Sequence, residues 1–195
     1  RDGEPETGFA AQDFMDAAVI TPSMRATGWY FMLVAALFVV QVLLGMVTAH
    51  YAVEGQGIYG LPFAEYFPYA VTRTWHTQLA IFWIATAWLA TGLYVGPLLG
   101  GREPKFQAAG VWFLLISLVV IVAGSFIGEW SAVNRLIADA TQNFWFGHQG
   151  YEFLDLGRFW QIYLFIGLLL WVVLVLRGMW PALKRPETRS LLYLV

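Results

Sequence analysis

Three groups of polar residues stand out in an otherwise apolar chain, and the first is a single histidine. His76 lies near the start of a stretch from Thr74 to Gly101 that contains no Asp, Glu, Lys or Arg. An ionisable ring is costly to keep in such a stretch and marks a candidate functional site. At 3.6 residues per turn its helical face carries Arg73 one turn earlier and Ala80, Trp83 and Ala87 further along. A flat macrocycle fits against small alanines, and the lone pair of a neutral imidazole can ligate haem iron. The guanidinium of Arg73 suits a haem propionate. The competing role for His76 is a plain hydrogen bond to a carbonyl or to water.

The second group is His50 and Glu54, four residues apart and therefore on one helical face. A histidine and a carboxylate so placed could take the two protons of a quinol, one on each hydroxyl, as its electrons leave. The structural alternative is an ordinary pair closing a helix. The third group is Glu152, Asp155 and Arg158, which recur at every third position. Acidic groups just ahead of a helix favour its positive end; the same oxygens could hold a hard cation such as calcium. His148, between Gly147 and Gly150, reads as a hydrogen-bonding residue of a turn.

The elements that must position these residues are membrane spans. The 195 residues are 59% hydrophobic and 12% charged, about half the charged fraction of roughly 25% usual in soluble domains. Four stretches without Asp, Glu, Lys or Arg run from 26 to 53, 74 to 101, 106 to 128 and 159 to 176, each near the roughly 20 residues needed to cross a bilayer. The expected spans are about 26–50, 74–100, 106–128 and 156–180, with a further helix starting at 189–195. Residues 1–24 form an acidic arm, ended by the turn Thr21-Pro22-Ser23, and residues 25–195 a transmembrane segment. Because the chain opens on RDGEPETG and stops inside SLLYLV, it reads as a segment of a longer membrane protein. The absence of cysteine excludes thiolate metal sites, iron–sulfur clusters and attached c-type haem. A net charge of −2 with no Lys/Arg run argues against nucleic acid.

Orientation follows from the basic residues, which are retained on the cytoplasmic side. One side receives Arg1, Arg25, Arg102, Lys105, Arg177, Lys184, Arg185 and Arg189; the other receives Arg73, Arg135 and Arg158. Both termini are therefore expected in the cytoplasm, with loops 51–73 and 129–158 outside. These outer loops are long and rich in aromatic rings, as in YGLPFAEYFPY and NFWFGHQGYEFLDLGRFW, and ordered loops of this length are usually functional. Gly45, Gly92, Gly124 and Gly167 permit close approach of neighbouring helices.

The segments RTWHTQLAIFWIATAWLATG at 73–92, GHQGYEFLDLGRFWQ at 147–161 and TAHYAVEGQGIYG at 48–60 resemble those of the quinol-dependent nitric oxide reductases of bacteria. These enzymes belong to the haem–copper oxidase superfamily. The resemblance covers nearly the whole chain and implies an all-α membrane protein whose four transmembrane helices form part of a larger haem–copper oxidase-like bundle in the bacterial inner membrane. It implies that the parent enzyme converts two nitric oxide molecules, two electrons and two protons into nitrous oxide and water, in denitrification. Its cofactors are a low-spin haem b, a high-spin haem b, a non-haem iron and calcium. By the same resemblance His76 is an axial ligand of the low-spin haem, whose propionate Arg73, one turn away, could meet. His50, Glu54 and the position of Ile58 line the quinol pocket; Ile58 stands where some members carry an aromatic ring. Glu152 corresponds to a carboxylate at the calcium, and Asp155 to an acidic residue on a proton path. The non-haem iron ligands, the second axial ligand of the low-spin haem and the ligand of the other haem belong to later helices. The expected partners are thus the remainder of the catalytic core, quinol, nitric oxide and lipid. An oxygen-reducing oxidase of the same superfamily and a non-enzymatic membrane scaffold are the rival readings.

Overall fold

The structure is a computed structural model describing residues 18–58, 60–150 and 155–185. Its helices are α1 (Pro22–Glu54), α2 (Phe63–Tyr66), α3 (Tyr69–Gly100), α4 (Gln107–Val133), α5 (Ala140–Phe146) and α6 (Arg158–Leu183). Four of them, α1, α3, α4 and α6, are long and apolar enough to cross a bilayer, so the chain is an all-α, multi-pass membrane protein. The acidic arm before residue 18, Glu152 and the helix expected at 189–195 lie outside the described residues.

Several spans run past the ends that charge counting sets. α1 continues to Glu54 rather than ending near 50, α3 starts at Tyr69 rather than 74, and α4 continues to Val133 rather than 128. Counting charges stops a span at its first ionisable residue, whereas the backbone ladder continues wherever that side chain can reach a partner or the interface. Arg73 and Glu129 are consequently helical residues. α2 and α5 are short helices inside the two aromatic loops; α5 begins where the Asp139 carboxylate accepts the Gln142 N–H at 2.7 Å.

The beginning of α1 follows its sequence closely. Pro22 sits in the first turn, where its missing N–H costs nothing, and Thr21 Oγ1 accepts the Met24 N–H at 3.4 Å. A second cap comes from far along the chain. Glu103, in the turn between α3 and α4, accepts the Ser23 N–H at 3.0 Å on Oε2 and the Ala108 N–H at 3.2 Å on Oε1. One carboxylate thus faces the positive ends of both α1 and α4.

α3 touches α1, α4 and α6, and α4 packs against the same two outer spans. Two buried apolar clusters result, one around Tyr30, Leu93, Val111 and Leu174, the other around Leu44, Leu79, Phe82, Ile121 and Phe126. Lipid is as apolar as these side chains, so close backbone approach and polar links must supply specificity. Tyr30 OH donates to Val111 O at 2.6 Å, Gln107 Nε2 to Leu174 O at 2.8 Å and Trp171 Nε1 to Leu89 O at 3.0 Å. α3 and α6 cross at close quarters: a Cβ built on Gly100 would lie 2.1 Å from Gly178 O.

Candidate functional site

Arg73, His76, Ala80, Trp83 and Ala87 occupy one half-buried face of α3, and that face turns toward α1. Trp83 meets Phe38 edge to face at 5.4 Å. His76 Nδ1 lies 2.8 Å from the main-chain oxygen of Gln41, with the Gln41 side-chain amide at 3.4 Å. A carbonyl only accepts, so the shorter contact requires the proton on Nδ1 and leaves the lone pair of a neutral ring on Nε2. That is the orientation a metal-binding imidazole needs, one nitrogen tied to a carbonyl and the other presented to a ligand.

Gly45 makes this contact possible. It follows Gln41 by one turn, and a Cβ at this position would stand 2.7 Å from His76 Cε1 and 2.9 Å from Nδ1. Any other residue would push the imidazole off the carbonyl. The sequence shows Gly45 only as a packing glycine; its partner on α3 is fixed by the pairing of two helices. Trp83 Nε1 is buried without a hydrogen-bond partner on the same face. A pre-set tautomer, two alanines and an unsatisfied donor are features that would suit haem ligation through the free Nε2.

His50 and Glu54 remain together at the C-terminal end of α1. His50 Nε2 donates to Gly57 O at 2.8 Å, and its Nδ1 lies 3.4 Å from Glu54 Oε2. The Glu54 side chain is 64% exposed against 18% for His50, so the pair offers an accessible carboxylate backed by an ordered ring. α1 stops at Gly55, whose φ of 85° ends the helix, and the chain folds back so that Gly57 meets His50. Ile58 is half-buried in this turn and bridges to Leu61. Gly45 and His50 are separated by about 7.5 Å of helical rise, so the two sites lie on successive turns of one helix.

The loop before α6 is closed by the Gly157 N–H donating to Gly147 O at 3.0 Å and by a bridge between His148 and Leu156. Arg158 donates to Gln149 Oε1 at 3.2 Å and sits over the Phe144 ring. His148 is half-buried, and desolvation pushes its pKa below the ordinary imidazole value. Asp155 is half-buried in the same loop. Among the described residues no three His, Asp or Glu side chains come together.

Glu129 is the residue that sequence reading passes over. Placed just beyond the expected end of its span, it counts there as loop; in the structure it lies inside α4 and is 1% exposed. Gln78 Nε2, on the turn of α3 inward from His76, donates a short hydrogen bond to Glu129 Oε1, while Oε2 has no hydrogen-bond partner. Trp75 stacks on Phe126 at 4.9 Å one turn further down α4. The available signal is the carboxylate of Gly128-Glu129-Trp130 at a span boundary, where a helix one turn longer would bury it.

No curated protein matches the chain. The family described as Cytochrome C and Quinol oxidase polypeptide I matches it over residues 25–194, from the first turn of α1 onward. Matched over most of its length and built of four spans, the chain belongs to this family of haem-binding membrane oxidoreductases of the haem–copper type.

Proposed function

We propose that the chain is the early part of the catalytic core of a quinol-dependent nitric oxide reductase, with His76 as an axial ligand of a low-spin haem b and His50 and Glu54 at the quinol. The observation that carries the haem assignment is the His76 Nδ1 contact with Gln41 O, which presents Nε2 as a donor to iron. Bound there, the haem supplies a one-electron iron couple. Arg73, one turn outward, pairs with a propionate. Glu54, exposed and backed by His50, accepts a proton from the quinol hydroxyl, and the ring holds that proton between Nδ1 and Oε2. The preference for nitric oxide over oxygen rests on the motifs at 48–60, 73–92 and 147–161. By the same motifs Glu152 belongs at a calcium and Asp155 on a proton path, with a high-spin haem b and a non-haem iron held elsewhere in the core.

Two variants of the complete enzyme test this reading, beside the unmodified enzyme supplied with nitric oxide or oxygen. His76→Ala removes the low-spin haem band from the reduced-minus-oxidised spectrum while the protein still accumulates; an unchanged spectrum overturns the ligand assignment. Glu54→Ala loses most turnover with quinol and keeps turnover with an artificial reductant, whereas equal loss with both donors removes the quinol assignment. Turnover of oxygen in place of nitric oxide identifies an oxygen reductase.

A further inference from the structure

A second site lies at the opposite ends of the spans. The turn from 101 to 106 and the last turns of α6 enclose a cavity of about 640 Å³. Its lining carries the cations Arg102, Lys105 and Arg177, which form its rim, and the apolar side chains Val173, Leu176 and Trp180, which form its floor. Arg177 Nη2 donates to Lys105 O at 2.7 Å, which ties the guanidinium to the turn and leaves its other N–H donors available. Lys184 adds a cation above the Trp180 ring at 5.4 Å.

The carboxylate in this lining does not neutralise the rim. Both oxygens of Glu103 are engaged by the N–H groups of Ser23 and Ala108, and none of the three basic residues forms an ion pair with a described carboxylate. The cavity therefore joins a rim of net positive charge, three cations against the one carboxylate of Glu103, to an exposed apolar floor. Arg102 follows the end of α3 by two positions, so the rim stands where a span leaves the hydrocarbon, and Val173 and Leu176 lie on the membrane-crossing part of α6.

We propose that this cavity binds an anionic phospholipid, with the phosphate held by Arg102, Lys105 and Arg177 and an acyl chain laid over Val173, Leu176 and Trp180. Guanidinium forks match phosphate oxygens two at a time, and basic pockets between spans at the membrane surface recruit anionic headgroups. A free phosphate would satisfy the rim alone. An apolar helix would satisfy the floor alone. Only an amphiphile uses both, at the depth where the two surfaces meet.

The test uses the complete enzyme in neutral detergent, titrated with phosphatidylglycerol, phosphatidylcholine or inorganic phosphate and read by native mass spectrometry. Phosphatidylglycerol is expected to bind at low concentration, and the exposed pair Arg102→Gln with Lys105→Gln to weaken it at least about tenfold with an unaltered haem spectrum. Equal retention of the two lipids, equal retention in the variant, or displacement by inorganic phosphate at matching concentration overturns the proposal. A second measurement needs no variant: a photoreactive phosphatidylglycerol should label the peptide spanning 172–184 in the unmodified enzyme, and labelling confined to other peptides also overturns it.

Discussion

Glu129 illustrates how much one buried side chain can decide. Its Oε1 takes the N–H of Gln78 across the contact between α3 and α4, two residues along the chain from His76. A hydrogen bond of this kind contributes little net energy while it is made and costs about 1–3 kcal/mol when one partner is deleted. Glu129→Ala is therefore expected to lower the melting temperature of the complete enzyme by several degrees. Glu129→Gln, which keeps an acceptor of the same length, should stay within about one degree. Equal melting of both variants would mean that the link between the helices carries no weight. Sequence pattern singles out His76 because it interrupts an apolar stretch, but it cannot single out Gln41, whose contribution is a main-chain oxygen, nor Gly45, whose contribution is an absent side chain. Both depend on which turn of α1 faces His76, a distance between segments some 30 residues apart along the chain.

Among the elements, the spans are legible because composition alone marks them, and their ends are not. Thr21 and Pro22 announce the start of α1, but the C-terminal end of α4 runs on past Glu129, which finds Gln78, and α3 begins before Arg73, at Tyr69. The helices α2 and α5 are four and seven residues long, too short for a period to declare itself. Small residues are more informative than they look in the sequence. A Cβ on Gly178 would lie 3.0 Å from Gly96 C and from Pro97 N, which are backbone atoms that cannot turn aside. Gly178→Leu should force α3 and α6 apart and destabilise the enzyme by about 1–3 kcal/mol, read as a lower melting temperature. Gly28, whose Cβ would meet nothing within 4 Å, provides the control: Gly28→Leu should melt with the parent, and matching behaviour of the two variants would remove the crossing from the account.

For the molecule as a whole, the distribution of charge predicts the orientation. Arg25, Arg102, Lys105, Arg177 and Lys184 gather at one end of the bundle, and Arg73, Arg135 and Arg158 at the other. The more basic end is expected in the cytoplasm. A reporter active only outside the membrane should be silent when inserted between residues 101 and 106 and active between 134 and 139, and the opposite pattern would reverse the topology. Large rings on α1 and α6, among them Phe31, Phe38, Phe165 and Trp180, are exposed. They give the bundle an apolar exterior suited to lipid or to further helices of the catalytic core.

The double cap made by Glu103 reaches further than the turn it belongs to. It clasps the start of α1 to the α3–α4 corner, and at the opposite end Tyr51 OH donates to Phe67 O at 3.2 Å, just ahead of α3. α1 is thus pinned above and below, with Gln41 in between. Sliding it by a single residue, about 1.5 Å, would break both pins and carry the Gln41 carbonyl away from His76. Which nitrogen of that ring is free to meet a metal is therefore settled by the registration of a whole helix, and a fault at either pin would be felt at the imidazole.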